Sequence, residues 1–96
     1  MTDFEYRDKR LFCEQVDLEA VAEAAGTPCY VYSALGIVER FRAYDGAFGD
    51  IPHTVCYAVK ANSNVQLLKL LANAGAGFDI VSGGELYRVI EAGGDP

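Results

Sequence analysis

Basic side chains are scarce. Only 8 Lys and Arg stand against 14 Asp and Glu, a formal charge of −6, and they form no cluster that could follow a phosphate backbone. Nucleic acid is therefore not an expected partner. No apolar run approaches the ~20 residues that cross a bilayer, and Met1-Thr2-Asp3-Phe4-Glu5 has neither the basic nor the apolar region of a secretory signal. A cytoplasmic protein without membrane contacts is expected. Cysteine occurs three times, at Cys13, Cys29 and Cys56, with no CxxC or Cys/His ligand spacing, which argues against both a disulfide framework and a metal site and for reduced, mostly buried thiols. The single histidine, His53, follows Pro52 in a predicted loop, where it reads as solvated and without a role.

What is present suits a globular core: 51% of the 96 residues are hydrophobic and 23% charged. Phe4–Arg7 and Leu11–Glu14 flank the polar Asp8-Lys9-Arg10 as a small hairpin. From Asp17, the spacing of Leu18, Val21, Ala22 and Ala25 predicts a helix ending at Gly26 in a left-handed cap, and Thr27-Pro28 then leads into an extended Cys29-Tyr30-Val31-Tyr32. Ser33 is a candidate N-cap for a helix with Ile37, Phe41, Tyr44 and Phe48 as its apolar stripe. The run Thr54–Val59 predicts a strand that delivers Lys60. Ser63 with Gln66 has capping-box spacing for a helix on Val65, Leu68, Leu71 and Ala72 that closes near Gly75. Phe78–Val81 predicts a second strand. Ser82 with Glu85 opens a last helix whose buried side is Leu86, Val89 and Ile90. Strand, helix, strand, helix with short connections implies a parallel sheet covered by helices. Two strands cannot bury both faces of such a sheet, and a (β/α)8 barrel takes ~250 residues, so the chain reads as the opening of a larger α/β fold.

Strand alternation puts Val55, Tyr57 and Val59 on one face and small Cys56 and Ala58, with Lys60, on the other. The amine then stands at the carboxyl end of a parallel strand, where α/β sheets and barrels carry their chemistry, with room in front of it. Two readings fit Lys60: a strand end in solvent, or a nucleophilic amine of the imine-forming kind. Asp79, between Phe78 and Ile80, points toward the same face and either orients that amine or forms a structural ion pair with it. Glu85 is accounted for by its capping position and remains equally open as an acid near Lys60. Gly83 and Gly84 at a helix start match no P-loop or GxGxxG pattern, and Tyr30, Tyr32, Tyr44 and Tyr87 read as core or rim aromatics.

Three segments carry a likeness: Gly26-Thr27-Pro28-Cys29-Tyr30-Val31-Tyr32-Ser33, Tyr57-Ala58-Val59-Lys60-Ala61-Asn62, and Gly77-Phe78-Asp79-Ile80-Val81-Ser82-Gly83-Gly84-Glu85-Leu86. In this order and spacing the chain, from about Phe4 to Pro96, resembles the diaminopimelate branch of the pyridoxal-phosphate decarboxylases of alanine-racemase-like barrel fold. The resemblance implies the opening strands and helices of a (β/α)8 TIM barrel that binds pyridoxal 5'-phosphate. It also implies a second, β-rich domain built from the carboxyl-terminal part together with the first residues. Residues 1–30 would then belong to the β domain and 31–96 to the barrel. It further implies that the residue matching Lys60 bonds covalently to the cofactor, with Ala58 beside it and Asp79 and Glu85 close by as acids of the site. The reaction so implied is decarboxylation of meso-2,6-diaminopimelate to L-lysine by a homodimer acting on a small amino-acid substrate. The phosphate-binding loop, the partner of the pyridine nitrogen and the substrate arginines of such enzymes fall beyond Pro96, so this stretch alone is expected to be inactive. The competing readings are a barrel decarboxylase for arginine, ornithine or carboxynorspermidine, a non-catalytic cofactor carrier or inhibitor-like relative, and a small α/β module whose Lys60 merely ends a strand.

Overall fold

Two successive residues in left-handed backbone, Asp8 (φ 50°) and Lys9 (φ 69°), reverse the chain between β1 (Phe4–Arg7) and β2 (Arg10–Cys13). Left-handed backbone costs a residue with a Cβ roughly 1–2 kcal/mol, so the antiparallel ladder has to hold this turn closed. Phe4 pairs with Cys13 and Arg7 with Arg10, and β3 (Val16–Asp17) adds a third strand through Cys13–Val16 and Phe12–Asp17. The hairpin expected from the sequence is thus a three-stranded meander. The third strand was hidden because only two residues form it. The Arg7 guanidinium lies 4.9 Å from the centre of the Phe12 ring, is paired with Glu5, and donates to the Glu14 carbonyl at 2.9 Å.

The computed structural model describes residues 3–96, and its two compact units divide between Gly36 and Ile37. In the first unit, α1 (Leu18–Ala25) starts on Asp17, whose carboxylate accepts from the Glu19 N–H at 2.9 Å. Gly26 ends it with φ 83° and ψ 171°, a positive φ as expected but outside the left-handed helical region. The Thr27–Pro28 bond is cis. Residues 29–32 enter no strand. Tyr30 is 90% exposed and stacks on Tyr32 with ring centroids 6.5 Å apart, so neither is a core aromatic. Ser33 does cap α2 (Ala34–Ala47), accepting from the Gly36 N–H at 2.9 Å. Glu14 is an unforeseen partner in this cap: its carboxylate accepts from the Ser33 hydroxyl at 2.8 Å and from the Leu35 N–H at 3.1 Å, an anion set where the helix dipole favours one.

The second unit is built on a parallel pair, β4 (Cys56–Ala58) and β5 (Gly77–Asp79), in the register Cys56–Gly77, Tyr57–Phe78, Ala58–Asp79. Helix α3 (Val65–Ala74) joins them and α4 (Gly83–Glu91) follows, the alternation that the sequence predicts. Leu68 and Val59 are wholly buried at the centre of a cluster completed by Phe41, Leu67, Leu71, Val89 and Ala92. Gly75 ends α3 in left-handed backbone (φ 101°, ψ 12°), and the Ala76 N–H returns to the Leu71 carbonyl at 3.0 Å. Two expected burials fail. Leu86 and Ile90 are 42% and 52% exposed, leaving Val89 as the buried residue of α4, and Tyr44 and Phe48 at the far end of the α2 stripe are exposed as well. Of the thiols only Cys13 is buried, which corrects the expectation for Cys29 and Cys56. Burial pushes the Cys13 thiol up, and neighbouring Glu14 and Asp3 add to this.

Candidate functional site

The two short strands sort their side chains cleanly. Val55, Tyr57, Phe78 and Ile80 pack against the buried cluster, so Cys56, Ala58, Gly77 and Asp79, which alternate with them, share the other face. That face is made of small groups, and closely fitted ones: a Cβ on Gly77 would lie 2.9 Å from Cys56 Sγ and 3.3 Å from Thr54 Cγ2. Both strands finish at the same level, Ala58 beside Asp79, which brings the end of β4 and the carboxylate to one rim of the sheet. Asp79 is exposed.

Lys60 is not on the strand. The ladder stops at Ala58, one residue before the Val59 at which the expected strand ends, because Val59, buried in the core, starts a one-turn 3-10 helix, Val59–Ala61. The second strand likewise ends at Asp79 rather than running to Val81. Lys60 is exposed, and among the described residues the side chain of neither it nor Asp79 takes part in an ion pair or hydrogen bond, so the structural ion pair between them is not formed. The amine therefore stands at the rim, held by backbone geometry rather than by a partner.

That geometry has three supports that the sequence did not reveal. The Asn62 N–H donates to the Val59 carbonyl at 3.1 Å, and the Tyr57 hydroxyl donates to the Asn62 carbonyl at 2.9 Å. The Asn62 side chain accepts from the Asn64 N–H at 3.0 Å. Asn64 in turn is the N-cap of α3, accepting from Gln66 at 2.9 Å and Leu67 at 3.3 Å, which displaces Ser63 from the capping role assigned to it. Two asparagines two residues apart before an apolar helical stripe were the available signal. Arg88 of α4 donates to the Ser63 carbonyl at 3.3 Å and bridges to the same segment.

Glu85 caps as expected: its N–H donates to the Ser82 hydroxyl at 3.1 Å. Its own carboxylate accepts from the Val81 N–H at 3.0 Å, one residue beyond the Ser82 N–H that a standard capping box would use. Oε1 is thereby engaged, whereas Oε2 has no hydrogen bond among the described residues. Gly83 and Gly84 form the first turn of α4. His53 is not the freely solvated loop residue expected. Its ring meets Asp45 Oδ1 at 2.7 Å and the Ile51 carbonyl at 2.6 Å, stacks 4.7 Å from Phe48, and is held above the usual imidazole range, first by the Ile51 carbonyl and then by Asp45.

A cavity of about 450 Å³ lies between α2 and β4, with Ile37, Phe41, Tyr44, Val55 and Leu71 in its wall. Cys56, Tyr57 and Ala58 of β4 also line it, whereas Lys60, Asp79 and Glu85 do not. The described residues hold no group of His, Cys, Asp and Glu suited to a metal ion. What they do offer is a primary amine at a sheet rim, a carboxylate on the same rim, and small side chains between. That set fits the aldehyde end of a pyridoxal-type cofactor.

The model of the pyridoxal-dependent decarboxylase family, pyridoxal binding domain, matches residues 35–96. Diaminopimelate decarboxylase of Pseudomonas aeruginosa is 58% identical over 96 residues, all of this chain and 23% of the relative. Among solved structures, a protein of Aquifex aeolicus superposes with a TM-score of 0.89 at 56% identity, over 96% of this chain and 23% of its own. Diaminopimelate decarboxylase of M. jannaschii in complex with L-lysine gives a TM-score of 0.88 at 38% identity, over 94% and 22% respectively. The chain thus spans less than a quarter of the length of these relatives.

Proposed function

This chain belongs to the pyridoxal-dependent decarboxylase family, and on that premise we propose that it supplies the cofactor lysine of an enzyme that decarboxylates meso-2,6-diaminopimelate to L-lysine. The observation that carries the proposal is the position of Lys60, one step past the end of β4, at the rim where Ala58 and Asp79 lie side by side. The choice of diaminopimelate over arginine, ornithine or carboxynorspermidine rests on relatives of that name at up to 58% identity, one of them solved with L-lysine.

Pyridoxal 5'-phosphate, when bound, accepts the electron pair released as carbon dioxide leaves. Lys60 is the residue that would hold the cofactor, through Nζ at its aldehyde carbon, in a linkage that a substrate amine could replace. Asp79 sets a carboxylate on the same rim, level with Ala58, without holding the amine in an ion pair beforehand. Ala58, one methyl group long, leaves the ring room beside β4. Glu85 lends its unengaged oxygen to the same rim while the other stays on the Val81 N–H. The first ~30 residues join a β-rich second domain and residues 31–96 open the barrel. The complete enzyme works as a homodimer in the cytoplasm, on an amino acid and with neither nucleic acid nor membrane as partner. The 96 residues by themselves are inactive, since a barrel needs about six further strands.

The test is to express the complete reading frame that carries this chain, load it with pyridoxal 5'-phosphate, reduce with borohydride and map the labelled peptide. Label on Lys60, lost in Lys60→Ala with the fold retained, is the expected outcome; label on another lysine sinks the assignment. Carbon dioxide release from meso-diaminopimelate, against arginine, ornithine and carboxynorspermidine in parallel, decides the substrate.

A further inference from the structure

We propose that Tyr57 is a positioning residue for Lys60: its hydroxyl locks the turn that carries the amine. The inference rests on the reading of Lys60 as the cofactor lysine and adds to it a group that never touches the cofactor. Lys60 and Ala61 are both exposed, so no side-chain packing of their own fixes this piece of backbone. On the amino-terminal side it is anchored by Val59, which is wholly buried. On the carboxyl-terminal side the Asn62 N–H closes a single 3-10 bond to the Val59 carbonyl, and such bonds are the less favourable kind geometrically. Tyr57 adds the second closure. Its ring belongs to the core side of β4, and its hydroxyl spans five residues to the Asn62 carbonyl at 2.9 Å.

The direction of the strand explains why this works. Tyr57 faces the helices, opposite to Cys56 and Ala58, so its oxygen meets the turn from the core side while the open face stays clear. Asn62 is thereby held from two sides: its carbonyl by the rigid strand and its side chain by the Asn64 N–H at the start of α3. An amine that must leave its bond for each substrate molecule and then return gains from a backbone that stays in place, because return is an intramolecular step whose speed depends on orientation. Tyr57→Phe keeps the buried ring and removes only the donor, leaving a half-buried carbonyl without it.

In the full-length enzyme, hydrogen exchange without cofactor is expected to rise about fivefold in peptides covering residues 59–63, the loss of one neutral hydrogen bond. Peptides from α3 around Leu68 should be unchanged. With cofactor, Tyr57→Phe should lower kcat by at least the same factor at nearly constant KM and shift the pH profile of the lysine-bound cofactor's absorbance. Tyr44→Phe, another tyrosine of the same unit, should do none of this. Exchange at the parental rate over residues 59–63, or a rise shared equally by α3, overturns the inference, the second because it signals loss of the fold rather than of the turn. Borohydride label on a different lysine in the parental enzyme would instead remove the Lys60 reading and leave the exchange result standing.

Discussion

Asn64→Ala separates the structure from the sequence pattern. The pattern Ser63-Asn64-Val65-Gln66 favours Ser63 as the cap of α3, whereas the structure gives that role to Asn64, whose side-chain oxygen accepts from Gln66 at 2.9 Å and Leu67 at 3.3 Å. The first bond is of ordinary length and the second is at the long end, so the pair counts for little more than one good bond. Asn64 is exposed, and water will satisfy part of what the substitution frees. The cost should therefore fall near ~1 kcal/mol, toward the middle of the ~0.5–2 kcal/mol range for losing a cap, with Asn64→Gly costing only a few tenths. Ser63→Ala should stay within about 0.5 kcal/mol. Urea titration of the full-length protein, with hydrogen exchange at the first turn of α3 as the local readout, measures both. If Ser63→Ala is the costlier change, or if the Gln66 and Leu67 amides keep their protection in Asn64→Ala, the capping argument is wrong.

Leu68→Ala, at a wholly buried site in the middle of α3, should destabilise by about 2–5 kcal/mol in a urea titration. Gly94→Ala should cost about 1–3 kcal/mol in the same assay, since a Cβ there would run into Val89 Cγ1 and lie 3.1 Å from the Val89 carbonyl. His53 has its folded-state value raised by the Ile51 carbonyl and Asp45, so its contribution to stability is fully present below the unfolded value of about 6.5 and fades as pH rises through the folded one. An NMR titration should show the His53 midpoint above that of an unstructured peptide and moving down in Asp45→Asn. Thiol labelling of the native chain should modify Cys29 and Cys56 promptly and Cys13 slowly, because Cys13 is buried and its thiolate disfavoured.

The helices were legible where one signal sufficed. Gly75 after Ala74 and Ser82 three residues before Glu85 each carry a cap that works through a single glycine or a single side chain, and each stands where expected. Burial was less legible, because periodicity names an apolar face but not what covers it. Val89 is buried while Leu86 and Ile90 on the same stripe are not, and the α2 stripe is covered at Phe41 but not at Tyr44. Strand ends failed for a different reason. Nothing in Ala58-Val59-Lys60 distinguishes a continuing strand from a 3-10 turn, since Val59 is core-facing in both; the turn is closed by the Asn62 N–H on the Val59 carbonyl and by the Tyr57 hydroxyl on the Asn62 carbonyl, bonds to backbone groups that residue types do not announce.

That shortfall bears on the site in a specific way. Alternation alone gave the correct side of the sheet for Asp79, because Phe78 and Ile80 do pack on the core, and the parallel register then sets Asp79 level with Ala58. It gave Lys60 the correct rim for an incomplete reason: the amine is carried there by a turn, not by the pleat. A strand-borne lysine would be fixed by its ladder, whereas this one is fixed by the bonds that close its turn, from the Asn62 N–H to the Val59 carbonyl and from the Tyr57 hydroxyl to the Asn62 carbonyl. On the proposed reading of Lys60 as the cofactor lysine, an exposed amine with no side-chain partner among the described residues is open to an aldehyde, whereas one locked in an ion pair with Asp79 would first have to break it.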